Sequence, residues 1–156
     1  MTEVRFYHLA RQPLDHVLPR MLLAGLERGW RAVVQAGSSE RVEALSSLLW
    51  TFDDSAFLPH GSEADGQAPL QPIWLTATDE NPNGANVRFY VDGARPKVIA
   101  GLTRAVVIFD GNDEAAVAWA RQDWKRFRAE GSDVSYWQQD DQGRWQNLAG
   151  SLVAGL

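Results

Sequence analysis

The chain contains no cysteine. That excludes disulfides, a thiolate nucleophile and cysteine-ligated zinc, and it is compatible with a reducing cytoplasm, the expected location. Long apolar runs are also missing, since none approaches the roughly 20 residues that a bilayer-spanning helix needs. The opening MTEVRFYHLARQPLDHV has no basic stretch leading into an apolar one, so no signal peptide is expected. Histidine is sparse: His8, His16 and His60 share no metal-ligand spacing, and there is no HExxH. No G-x-x-x-x-G-K-[ST], no G-x-G-x-x-G after a strand and no G-x-S-x-G elbow occurs. The chain thus lacks the recognisable machinery of nucleotide, metal and serine-nucleophile enzymes, and neither a metal nor a cofactor is expected.

What is present suits one domain. A chain of 156 residues with 45% hydrophobic content can bury a core without a metal or disulfide. The net charge of −5 repels polyphosphate, so direct nucleic-acid binding would need a strongly local patch and is not expected. The seven tryptophans divide between core filling and partner anchoring, a role in which Trp is enriched.

Strand patterns alternate with helical ones. Val4–Leu9 reads as a strand, and Leu14, Leu18, Met21, Leu22 and Leu26 then share a helix face that ends near Gly29. Pro19 predicts an irregular first turn there. Arg31–Ala36 is a continuous apolar strand of the doubly covered type. Gly37-Ser38-Ser39 supplies a turn and an N-cap for a helix over 40–50. Residues 51–71 read as a long polar loop. Further strands are expected at 72–77, 87–91 and 105–109, then a helix over 112–130, then one or two edge strands carrying Val134, Tyr136 and Trp145. The pattern predicts a three-layer α/β domain over 1–148, with a mostly parallel sheet flanked by helices, and a flexible tail over 149–156.

The late helix carries the clearest functional pattern. Arg121, Lys125 and Arg128 fall at i, i+4 and i+7 and share one face. Trp124 falls at the edge of this stripe. A basic stripe beside an aromatic shelf suits a short acidic peptide with an apolar end. The plain alternative is a solvated helix face paired with Asp123 or Glu130, with Trp124 packed in the core.

Several residues resemble the chi subunit family of the bacterial DNA polymerase III holoenzyme. They are Phe6-Tyr7 in the first strand, Glu43-Ala44-Leu45 with Leu49-Trp50 closing the second helix, Phe57-Leu58-Pro59-His60, and the run Ala120 to Arg128 with its A-R-x-x-aromatic-K-x-aromatic-R pattern. The likeness spans residues 4–137. It implies a Rossmann-like or helicase-like fold without a phosphate-binding loop, and a non-catalytic clamp-loader subunit. It further implies two partners: the acidic, phenylalanine-ended C-terminal tail of single-stranded-DNA-binding protein, and the psi subunit. By the same resemblance, Arg121, Trp124 and Lys125 hold the tail, Arg128 extends that face, and Phe109 walls its apolar pocket. Trp50, Phe57 and Pro59 fall in the psi-contacting region. Val117 stands where the family has a basic residue one turn before Arg121.

Two other readings compete. One is a small nucleotide- or anion-binding α/β enzyme that uses the Gly37–Glu40 turn and Asp110. The other is a direct DNA binder, which the acidic balance and the lack of an evident aromatic–basic sheet pattern oppose. Asp110 and Asp113 are read as helix-capping residues, and Asp53-Asp54 as part of a solvated loop.

Overall fold

The structure is a computed structural model that describes residues 2–53 and 58–148. The expected tail over 149–156 lies outside the described residues. The described chain runs β1 (Glu3–Leu9), α1 (Leu14–Glu27), β2 (Ala32–Gln35), α2 (Ser39–Thr51), β3 (Gly61–Ser62), β4 (Ile73–Thr76), β5 (Val87–Tyr90), β6 (Arg104–Asp110), α3 (Glu114–Ala129), β7 (Asp133–Gln139) and β8 (Trp145–Asn147). The strands form one sheet in the order β3-β4-β2-β5-β6-β1-β7-β8. Every pairing is parallel except β7 with β8. This is the expected three-layer α/β architecture.

Sequence chemistry sets the helix ends. Ser38 Oγ accepts from the Arg41 amide (3.3 Å) at the start of α2, and Asp113 Oδ1 accepts from the Ala115 amide (3.0 Å) at the start of α3. At the end of α1, Gly29 takes φ 79° and the Trp30 amide donates back to the Gly25 carbonyl (3.0 Å). That backward bond, possible because glycine accepts the left-handed conformation, closes the helix. The irregular first turn expected from Pro19 is absent. The helix is continuous from Leu14 with Pro13 as its N-cap, and Pro19 lies buried beyond the first turn beside Leu18 and Leu22.

Leu18 and Leu22 of α1 and Leu45 and Leu49 of α2 cover one sheet face. Ala116, Ala120, Trp124 and Phe127 of α3 cover the other, against Phe6, Val107 and Tyr136. No helix joins β4 to β5. The loop between them is held by buried Arg88, which donates to the carbonyls of Glu80 (2.7 Å) and Thr78 (2.7 Å) and to Gln35 Oε1 (2.8 Å). Burial lowers the pKa of this guanidinium. Its hydrogen bonds to oxygen acceptors compensate the charge.

The stretch read as a polar loop over 51–71 carries more order than expected. It contains β3, a 3₁₀ turn at Ala68–Leu70, and a buried His60. The imidazole holds the segment through a short-range bond that periodicity does not reveal: Nδ1 donates to the Leu58 carbonyl at 2.7 Å.

Candidate partner-binding surfaces

α3 presents two chemically distinct faces. The positions 116, 120, 124 and 127 recur at helical spacing and point into the sheet. Arg121, Lys125 and Arg128 form the neighbouring stripe; Lys125 and Arg128 are exposed and Arg121 is half-buried.

Trp124 departs from the expected aromatic shelf. It is only 1% exposed and sits edge-on to Phe6 and Tyr136, each at 5.9 Å between ring centroids. The reason is its phase: four residues after Ala120 and three before Phe127, it falls inside the apolar face, and a ring of this size gains most when buried. Only Arg128 connects the stripe to it, with the guanidinium carbon 6.0 Å from the ring centroid.

The stripe is free of ion pairs among the described residues. The two carboxylates expected to neutralise it, Asp123 and Glu130, are engaged elsewhere. Asp123 forms a bidentate pair with Arg95, at 3.1 Å and 2.9 Å. Glu130 lies 3.9 Å from Arg126. Among the described residues, eight of the fifteen Lys and Arg residues form ion pairs. Arg31 and Arg88 donate to carbonyl oxygens, and Arg28 lies over Trp30. Three of the remaining four are Arg121, Lys125 and Arg128. The inner Nε of Arg121 is buried without a hydrogen-bond partner among the described residues.

Beside Arg121, a groove of about 300 Å³ is lined by Gly111, Glu114, Val117 and Ala118. Val117 and Arg121 meet there because they are one turn apart. Phe109 lies elsewhere, contrary to the expected shared pocket. Its ring is 3% exposed and packs against His8 (5.2 Å), Tyr136 (6.1 Å) and Trp119 (6.2 Å). It lines a separate crevice of about 680 Å³ at the C-terminal ends of the parallel strands. β1 and β6 are neighbours there, and the helices that follow them go to opposite faces. Such a switch point is the usual ligand crevice of open α/β sheets. Sequence reasoning missed Trp119 as a wall of this crevice. The one available signal was its place in the helix that follows the β6 strand end.

The crevice and the neighbouring Gly37–Glu40 turn are already committed to internal contacts. A Cβ on Gly37 would lie 2.2 Å from the Asp92 carbonyl oxygen, so this glycine serves close packing. The Ser38 hydroxyl is used as a cap, and Asp110 Oδ1 accepts from the Asn112 amide at 2.8 Å. Arg41 pairs with Asp92 at 3.0 Å. These contacts weigh against a phosphate cradle. Among the described residues, no group of three or more His, Asp or Glu could hold a metal, and no helix is long and apolar enough to cross a membrane.

A second exposed feature lies at the end of α2. Trp50 is 51% exposed, and its ring centroid stands 4.3 Å from that of His60. Pro59 is half-buried beside it in sequence. Phe57, assigned with them to a partner contact, lies outside the described residues.

Comparison with known proteins agrees with the resemblance. The family described as DNA polymerase III chi subunit, HolC, matches residues 1–135. A protein of Rickettsia prowazekii (strain Madrid E) named "Probable DNA polymerase III subunit chi" is 30% identical over 87 residues, which are 56% of this chain and 53% of that relative. The chain therefore aligns with about half the length of that relative. With the match to the family running from β1 through all three helices into the start of β7, the chain belongs to the DNA polymerase III chi subunit family.

Proposed function

We propose that this protein is a non-catalytic replisome adaptor. It links the clamp loader, through a psi subunit, to the acidic C-terminal tail of single-stranded-DNA-binding protein. One observation carries the reading: Arg121, Lys125 and Arg128 form a stripe without ion pairs among the described residues, beside a groove lined by Val117 and Ala118.

The chemistry follows from those groups. Arginines fork onto carboxylates through charge-assisted hydrogen bonds, and Lys125 adds a point charge. The terminal aromatic ring enters the groove at Val117 and Ala118 rather than stacking on Trp124, which is covered. Replacing the family's basic residue by Val117 exchanges one charge for apolar contact in that groove.

Magnitudes set the expected affinity. Burying the ring contributes roughly 2–3 kcal/mol, and each exposed charge pair at most about 1 kcal/mol. The sum falls below the ~8 kcal/mol of a micromolar complex. The contact is therefore weak, salt-sensitive and reversible, which suits hand-off at a moving fork. Trp50 and Pro59 supply the second, psi-facing surface, supported by the exposure of Trp50.

The test is a fluorescence titration of the full chain with the partner's C-terminal peptide, with and without its terminal phenylalanine. Binding that needs the ring and weakens in Lys125→Ala and Arg128→Ala supports the adaptor. No binding at low salt removes it.

A further inference from the structure

The sheet face that carries α1 and α2 also carries a strip of arginines and aromatic rings. Register brings it together. Glu3 lies opposite both Arg104 of β6 and Asp133 of β7, and Tyr7 lies opposite Trp137. All these side chains point to one face because strand residues alternate. At one end, the Trp30 ring has the guanidinium carbons of Arg104 and Arg28 at 4.8 Å and 5.1 Å from its centroid. Farther along, Arg5 lies 4.8 Å from the Trp137 centroid, and Trp137 stacks on Tyr7 at 5.9 Å with 19° between planes. Trp145 of β8 then meets Tyr7 edge-on at 4.9 Å. Trp30, Trp137 and Trp145 are each half-exposed and Arg28 is exposed. From β6 to β8 the strip crosses three strand spacings, about 14 Å.

This is the aromatic–basic sheet pattern that the linear sequence did not reveal. Trp137 and Trp145 fall beyond the residues matched by the family, whereas Arg5, Tyr7, Trp30 and Arg104 fall within them.

We infer that this strip contacts single-stranded nucleic acid through phosphate–arginine bonds and base–indole stacking. Arg28 is exposed and can fork onto phosphate oxygens, while Arg5 and Arg104 donate to Glu3, Arg5 also to the Tyr7 hydroxyl, and supply positive potential beneath it. Half-exposed indoles offer surface to bases, which all have a π-face. An acidic peptide would use the cations and leave the rings idle. An apolar partner helix would find arginines where it needs aliphatic pockets. Three guanidiniums face two carboxylates, Glu3 and Asp133. Glu3 already bridges Arg5 (2.5 Å) and Arg104 (2.7 Å). Burial and then repulsion from Arg5 lower the Arg104 pKa, a crowding that a phosphate would relieve. The chain's net charge of −5 opposes the contact at long range. Binding is therefore weak and local, and it acts when the strand is already held nearby.

The experiment uses the full chain and a short fluorescein-labelled oligothymidylate, read by anisotropy over a salt series. Saturable low-salt binding is expected, with log K falling against log salt at a slope of about −1.4 to −2.1, as two or three phosphates require. Arg28→Glu, a change at an exposed side chain, and Trp145→Ala should each weaken binding about five-fold or more. Lys125→Glu with Arg128→Glu on the opposite face should leave it unchanged. Unchanged thermal unfolding checks that each variant is folded, and titrating the Arg28 and Trp145 variants with the acidic tail peptide, which should bind as before, fails or succeeds separately. No saturable binding at low salt overturns the inference. So does loss in the α3 variant rather than the strip variants. Equal competition by a base-free polyphosphate would remove the stacking and overturn it as well.

Discussion

Arg95 grips Asp123 from across the α3 face of the sheet: its Nε lies 3.1 Å from Oδ2 and its Nη2 2.9 Å from Oδ1. The carboxylate is only 3% exposed. Its hydrogen bonds raise the Arg95 pKa. Arg95→Ala would leave a buried charge with only Arg126, at 3.7 Å, to compensate. We expect a loss of about 2–3 kcal/mol in urea unfolding. Arg95→Lys, which keeps the charge but loses the fork, should recover part of that loss. Equal stability of Arg95→Ala and wild type would refute this role for the pair.

Two tryptophans of the α/β core and rim should answer mutation very differently. Trp124→Ala removes a ring that is 1% exposed and should cost about 3–5 kcal/mol. Trp50→Ala removes one that is 51% exposed and should shift stability by less than about 1 kcal/mol. Thermal unfolding of the two variants decides this. It also means that Trp124→Ala would report on folding, whereas Lys125 and Arg128 report on the tail.

A close approach at the end of β1 gives a third prediction. A Cβ on Gly111 would lie 1.8 Å from His8 Nε2. The His8 ring is fixed by its 2.6 Å hydrogen bond to the Tyr136 hydroxyl. Gly111→Ala should therefore destabilise by about 1–3 kcal/mol through overpacking. In a double-mutant cycle with His8→Ala the combined cost should fall below the sum of the single costs. Strict additivity would show that the two residues do not compete for space.

Burial of the same two residues makes stability depend on pH at both ends of the range. Burial raises the Tyr136 hydroxyl from 10.0 to about 12. The folded state thus holds a proton that the unfolded chain has lost. This contribution is complete below pH 10 and disappears as pH rises to about 12, worth roughly 2–3 kcal/mol. Burial lowers the His8 pKa, partly offset by Asp110. There the unfolded chain binds the proton first, so stability is present above the unfolded value and declines as pH falls through it towards the folded value. Denaturant midpoints measured across pH should show both slopes. The alkaline slope should flatten in Tyr136→Phe and the acidic one in His8→Gln.

Local features were legible in the chain because local physics creates them. Ser38 and Asp113 mark helix starts through their own oxygens, Gly29 ends α1 through its positive φ, and alternation of strand and helix patterns implies the layered sheet. Arg121, Lys125 and Arg128 share a face because helical geometry requires it. The same periodicity put Trp124 in the apolar face, but its nearness in sequence to the basic stripe suggested a shelf. Burial of the large ring against Phe6 and Tyr136 prevailed. The crevice at Phe109 depends on strand order, which sequence spacing does not specify.

The sequence by itself therefore determined the fold class, the helix caps and the presence of a cationic stripe on α3. Tertiary structure decided which charges remained available. It drew Asp123 away to Arg95, 28 positions earlier in the chain, and left the stripe without an ion pair among the described residues. It also gathered Trp30, Arg104, Arg5, Trp137 and Trp145 from five separate segments onto one face. Such neighbours arise from parallel register and strand order, long-range pairings that bury the most apolar surface and carry no trace in local periodicity.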